Sequence, residues 1–188
     1  MASEAEERIR AKAEAMLRSA FPEARIIHEL VLRQGGCRID LAAVTTDRLI
    51  CVEVKSERDV LTRLPDQVAA MRLVCDAWCV VTAAKHLDKC RDIAGWGKVY
   101  EEDDFRYLNL WRDSLAGLCN APARLEMLWA DELRRIAGHA GSRRPCIAAA
   151  TDSLTGSQVR RAVCRELRQR AFPRADAPIT AEALDRAA

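Results

Sequence analysis

Two aliphatic runs, Ile39 to Val44 and Leu49 to Val54, are separated only by Thr45, Thr46, Asp47 and Arg48. Such runs on either side of a polar turn predict a β-hairpin, here interrupted by charge at Asp40, Glu53 and Lys55. A turn centred between Thr46 and Asp47, as a two- or four-residue loop, sets Asp40 opposite Glu53. Directly opposed residues hold their Cβ atoms roughly 5 Å apart, and like charges there repel. Positive charge should therefore stand between them, and a divalent cation with a preference for carboxylate oxygen is the natural candidate. Side chains alternate along a strand, so Lys55 emerges on the face of Glu53. Two acids and an amine sharing a face suit metal-assisted hydrolysis of a phosphodiester. The other reading is a solvent-facing charged strip in which Lys55 merely neutralises Glu53.

A chain of 188 residues favours one domain, or a domain with a helical appendage, and 49% hydrophobic with 31% charged residues is an ordinary soluble balance. No run approaches the roughly 18 apolar residues of a membrane span, and the N-terminus lacks a signal-peptide core, so the expected location is the cytoplasm with no membrane partner. The eight cysteines, at 37, 51, 75, 79, 90, 119, 146 and 164, show neither paired nor metal-ligand spacing. They read as buried thiols of a reducing compartment, and an iron-sulfur cluster has no cysteine spacing to support it.

Ser3 to Ala20 reads as a helix, with Ser3 as its cap, acids in the first turn, and Ile9, Ala13, Met16, Leu17 and Ala20 on a sheet-facing stripe. Its acids are expected to be solvated. Arg25 to Arg33 reads as the first strand, and Glu29 within it is either a further metal-proximal acid or the partner of Arg38 or Arg33, because an unpaired carboxylate among aliphatic residues is costly. His28 should point the other way, as a packing or surface residue. Pro65 opens a helix in which Gln67 falls in the first turn, able to reach the acids or to bond terminal backbone groups. Ala77 to Val81 and Lys98 to Tyr100 read as strands, and Ala84 to Ile93 as a helix carrying Lys85 and His86 either near the site edge or in solvent. This order predicts an α/β fold, a mixed sheet flanked by helices, over residues 1–103.

From residue 104 to 175 the chain turns to helix formers and arginine, a C-terminal helical extension with helices near Asn120 to Ala137, Cys146 to Asp152 and Gly156 to Arg170; residues 176–188 read as a loose tail. The last two helices have helix-turn-helix proportions. Arginines at 143, 144, 160, 161, 165, 168, 170 and 174 face only Asp152 and Glu166 in that stretch. Arg143, Arg144, Arg160, Arg161, Arg165 and Arg168 are the candidates for phosphate-backbone contact, unless they form a solvated helix face.

Asp40, then Glu53-Val54-Lys55, then Gln67 in the next helix resembles the PD-(D/E)XK nuclease superfamily. Arg38-Ile39-Asp40-Leu41-Ala42, Glu53-Val54-Lys55-Ser56, the Asp59 to Pro65 segment with Gln67, Lys85-His86-Leu87 and Gly95-Trp96-Gly97 resemble one little-characterised bacterial and phage branch. The similarity runs from about Arg25 to Tyr100. It departs at Met71, where the pattern has an aromatic, which bears on packing or base stacking and not on the metal site. The resemblance implies a restriction-endonuclease-like fold and magnesium or manganese held by Asp40, Glu53 and the Val54 carbonyl. It further implies Lys55 as catalytic amine, Gln67 supporting the attacking water or scissile phosphate, and Glu29 as an added acid. The expected partner is nucleic acid, most simply DNA, with a homodimer open. The alternatives are a non-catalytic nucleic-acid-binding accessory module of the same fold and a structural protein with an incidental charged strip.

Overall fold

The computed structural model describes residues 4–33, 36–103, 120–180 and 182; the Ser3 cap, Cys119 and the end of the tail lie outside them. Helix α1, Glu4–Ala20, leads into three antiparallel strands, β1 Arg25–Arg33, β2 Cys37–Val44 and β3 Leu49–Lys55. Helix α2, Leu64–Val74, crosses to β4, Ala77–Thr82, and α3, Leu87–Ala94, crosses to β5, Val99–Glu101; both crossings give parallel pairs. The sheet order is the chain order, β1-β2-β3-β4-β5, and the chain is an α/β fold with a mixed sheet flanked by helices.

The expected boundaries hold closely, with short 3-10 turns at Leu61–Arg63, Ala84–His86 and Trp96–Lys98 at the entrances of α2, α3 and β5. Pro65 lies in the first turn of α2, where its missing donor costs nothing. Residues 120–137 form two helices, α4 Ala121–Leu125 and α5 Ala130–Ala137, because the chain breaks at Met127 and Leu128 to bury both side chains. Helices α6, Arg143–Ser153, and α7, Gly156–Gln169, follow. Thr155 and Gln158 cap α7 reciprocally, the Gln158 amide accepting from Thr155 N–H and O–H.

Two apolar layers sandwich the sheet. Ile9, Ala13 and Leu17 of α1 pack on Ile26, Leu41, Ala43, Ile50 and Val52. On the other face, Leu64, Val68 and Met71 of α2 share a cluster with Leu49, Cys51 and Trp78, and with Leu125, Leu133, Ala150, Val163 and Leu167 of α4 to α7. The C-terminal helices are thus not an appendage: they complete the second layer. Polar anchors reinforce this. Buried Arg25 of β1 donates to the carbonyls of Leu167, Arg168 and Arg170 at 2.9, 3.0 and 2.6 Å, terminating α7. Arg124 of α4 pairs at 2.8 Å with buried Asp76, whose other oxygen accepts from Leu49 N–H. The segment expected to be loose from residue 176 is tied at its start. The Asp176 carboxylate accepts from Ile26 N–H and Arg18, and Ile179 N–H donates to the Arg168 carbonyl.

Candidate active site

The β2–β3 ladder runs from Val44–Leu49 to Leu41–Val52, the register expected from the turn, and it stops one step short of Asp40 and Glu53. Strand β3 lies between two strands and two helical layers, so all seven of its residues are buried. Glu53 is 2% exposed and Lys55 4% exposed. That burial rules out the solvent-facing strip. As expected from alternation, the two meet on one face, Lys55 Nζ lying 2.5 Å from Glu53 Oε1. The other Glu53 oxygen, Oε2, is buried and meets no donor in close hydrogen-bond geometry among the described residues, with the Gln67 side chain near enough to favour the charged carboxylate. Burial, and secondarily the nearby Asp40 charge, push the Glu53 carboxyl up to about 7 despite Lys55.

Asp40 does not simply face Glu53. Its Oδ2 accepts from Val54 N–H at 2.8 Å, filling the gap where the strands part, and its Oδ1 accepts from Arg10 of α1 at 2.8 Å. Burial raises its proton affinity, with Arg10 and the Val54 amide pulling the other way. The positive charge demanded by the hairpin is therefore divided: Lys55 serves Glu53, and a residue absent from the sequence-based site serves Asp40. Arg10, 4% exposed, also donates to Glu29 Oε1 at 2.9 Å, Glu6 Oε1 at 2.8 Å and the Asp40 carbonyl at 3.4 Å. The only hint in the sequence was its spacing of four from Glu6, which reads equally well as a solvated helix pair. Glu6, expected in solvent, belongs to this network.

Glu29 is the one non-glycine residue among those described with a left-handed backbone, φ 59°. The kink breaks β1–β2 pairing between His28–Leu41 and Leu30–Ile39 and leaves Glu29 and Asp40 unpaired at the same level. Glu29 bonds Arg38 at 2.6 Å, the pairing expected of it, as well as Arg10. His28 turns to α1 instead, 3.4 Å from Glu14. Gln67 reaches the site: its Nε2 donates to the Arg38 carbonyl at 3.0 Å, it stands beside Glu53, and its Oε1 is buried without a partner. Lys85 turns outward to the Glu57 carbonyl, and His86 is buried in the helix entrance. Ser56 caps β3's exit, donating N–H and O–H to Asp59 at 2.7 and 2.5 Å.

Among the described residues no three His, Cys, Asp or Glu side chains form a ready metal cage. The residues that fit a hard cation are fewer: Glu53 with its second oxygen, Asp40, and the Val54 carbonyl, which leaves the strand on the Asp40 edge with its own N–H. Two carboxylates and one carbonyl are oxygen donors of the kind that hard cations such as magnesium or manganese take.

The arginine stripe is only partly a surface. Arg144, Arg161 and Arg165 are exposed. Arg168 is buried, Arg143 donates to the Leu128 and Glu126 carbonyls, and Arg160 lies within 4 Å of Asp47 and Asp76. Those three are drawn inward because α6 and α7 form part of the core layer, and a buried guanidinium must find oxygen.

Among curated proteins none matches the chain. A solved structure, the SPO1766 protein of unknown function from Silicibacter pomeroyi, is similar at 17% identity and a TM-score of 0.36, over 47% of this chain and 59% of that one. No helix of the described residues is long and apolar enough to cross a membrane. Residues 2–184 match the family described as bacteriophage P4 protein cII, and the chain belongs to that family.

Proposed function

We propose that this protein is a metal-dependent phosphodiesterase of the PD-(D/E)XK type acting on DNA. The observation that carries the reading is the Glu53 carboxylate, sealed in a strand with one oxygen on Lys55 and the other meeting no close donor among the described residues beyond its neighbour Gln67. A buried carboxylate oxygen without a close donor is expensive unless a ligand completes it. Asp40, Glu53 and the Val54 carbonyl would hold magnesium or manganese, which supplies Lewis acidity at the scissile phosphoryl group. Lys55 keeps two of its three donors beyond Glu53 and orients the attacking water or steadies charge developing on the phosphoryl oxygens. Gln67, anchored by its amide nitrogen, presents a carbonyl oxygen able to accept from that water. Arg144, Arg161 and Arg165 supply backbone contact away from the site.

A second reading, a non-catalytic nucleic-acid-binding module, is favoured by one observation: Asp40 and Glu53 already have internal cationic partners. Incubating wild type and Lys55→Ala with linear, circular, single-stranded and junction DNA, with and without manganese, separates the two. Manganese-dependent cleavage by wild type that Lys55→Ala lacks supports the nuclease. Binding by both without cleavage supports the module.

A further inference from the structure

Among the described residues Trp96 is the most exposed aromatic side chain, at 71%, and the chain is shaped to hold it there. Gly95, with φ 91°, ends α3 and turns the backbone into the 3-10 segment Trp96–Lys98 that enters β5, a conformation glycine adopts without steric cost. Behind the indole lies the Arg91 guanidinium, 4.5 Å from the ring centroid, so one ring face is closed by a cation and the exposure belongs to the other. Two more cations stand in the same corner. Arg72 of α2 donates to the Ala94 carbonyl at 3.2 Å, and its guanidinium and the Lys98 amine lie 5.7 and 5.6 Å from the ring of buried Trp78. An indole open on one face and ringed by cations suits a nucleobase with its phosphates, since every base presents a π-face. An apolar protein surface would instead bury those cations without offering them oxygen.

Positive charge also leads from this corner to the catalytic edge. The stretch Ala84–Lys98 carries Lys85, Lys89, Arg91 and Lys98 against two acids, Asp88, 3.8 Å from Arg91, and Asp92. Lys85 and Lys89 are exposed and four residues apart, a spacing that puts them on one side of α3. Lys85 follows the exit of β4, where Ala83 N–H donates to the Lys55 carbonyl, and commits one of its three donors to the Glu57 carbonyl. From Lys85 to Trp96 the helical rise covers roughly 16 Å, about five nucleotides at B-form spacing. We infer that Trp96 is a stacking platform for an unpaired base, with the strand's phosphates led to it along Lys85 and Lys89, so that the DNA this protein takes carries a single-stranded segment beside the bond it cuts. A base inside a duplex reaches such a platform only by leaving its pair and its stack. This rests on the DNA reading above and names the form of the DNA.

The test is binding to the full chain, with calcium present so that no substrate is consumed, followed by anisotropy of three labelled oligonucleotides: a single strand, an abasic strand of the same length and a blunt duplex. Wild type is expected to hold the single strand more tightly than the abasic strand or the duplex. Trp96→Ala should weaken single-strand binding about fivefold to a hundredfold, leave abasic and duplex binding unchanged, and keep the salt slope, while Trp96→Phe retains most of the affinity. Replacing Lys85 and Lys89 together by Ala should instead lower the salt slope on the single strand by about 1.4. The ring being exposed, the Trp96 variants should melt with wild type. Equal single-strand affinity in wild type and Trp96→Ala overturns the inference, and a dimer in sedimentation that Trp96→Ala dissociates would give the indole to a second copy of the chain. Either result leaves the metal reading standing, since manganese-dependent cleavage is measured separately. No oligonucleotide bound by wild type overturns the DNA reading and this inference together.

Discussion

Replacing Glu53 by Gln should alter stability in a way that depends on pH, and the structure fixes the sign. Glu53 takes up its proton at about 7 in the fold against an ordinary 4.5, because burial penalises the carboxylate. A group whose affinity for protons is raised by folding favours the folded state fully below about 4.5. That advantage is lost as pH rises through about 7. At about 1.4 kcal/mol per pH unit the loss is about 3 kcal/mol across that window. Asp40, also raised by burial, adds in the same direction. Gln is close in shape to the protonated acid and does not titrate. Urea unfolding of the chelator-treated protein at a series of pH values should show the stability difference, wild type minus Glu53→Gln, falling by about 3 kcal/mol between about pH 4.5 and 7. The Lys55 attraction acts only on the ionised carboxylate and is already contained in the value of about 7. Manganese should reverse the trend above neutrality for wild type only, by about 2.7 kcal/mol at a hundredfold excess over its dissociation constant. A difference that stays flat within about 1 kcal/mol would refute a sealed, proton-binding Glu53.

Asp40→Asn should abolish the manganese-dependent rise in melting temperature expected for wild type; an equal rise in both would remove Asp40 from the cation's ligands. Arg124→Leu removes the 2.8 Å partner of buried Asp76, leaving it only the Leu49 N–H and Arg160 at 3.7 Å, and should cost about 3 kcal/mol in urea unfolding, where a loss below about 1 would show the pair to be incidental. Replacing Arg161 and Arg165 together by Ala should lower the slope of log affinity against log salt on duplex DNA by about 1.8, measured by anisotropy with calcium present. An unchanged slope would make that face a solvated one. Thr155→Ala removes the reciprocal cap of α7 and should cost about 1 kcal/mol, read as a fall in melting temperature.

The hairpin was legible because its two signals, aliphatic runs and a centred polar turn, are local, and they carried the register of Leu41 on Val52 with them. Lys55 on Glu53 followed from alternation alone. Asp40 was placed at the right level but in the wrong setting, because a kink at Glu29 and the end of the ladder turn its carboxylate to Val54 and Arg10. Nothing in a strand pattern announces a left-handed glutamate. Arg10 was invisible for a related reason: its three acids are 4, 19 and 30 residues away, and only the first separation is one that helix periodicity can relate. The arginines of α6 and α7 form a cluster as counted, but only Arg144, Arg161 and Arg165 of the six candidates lie on the surface. Composition reports charge, whereas burial of Arg168 and the contacts of Arg143 and Arg160 depend on what packs beside them.

The division at residue 103 fails on the same grounds, with a consequence for the site. Helices α4 to α7 place Leu125, Leu128, Leu133, Ala150, Val159, Val163 and Leu167 in the cluster that contains Leu49 and Cys51 of β3 and Val68 and Met71 of α2. Burying each large aliphatic side chain is worth roughly 1.5–3 kcal/mol, so the six leucines and valines among them together contribute an amount comparable with the roughly 5–15 kcal/mol by which a domain is stable. The layer that presses α2, and with it Gln67, onto the Glu53 face of the sheet is therefore held down in part by the C-terminal helices. Arg25 and Asp176 join the same layers through β1, the strand that carries Glu29. The acids, the amine and the glutamine are kept in place from both faces of the sheet, by α1 through Arg10 and by the C-terminal helices through α2. The smallest unit that can preserve their geometry is the α/β sheet together with its full helical cover.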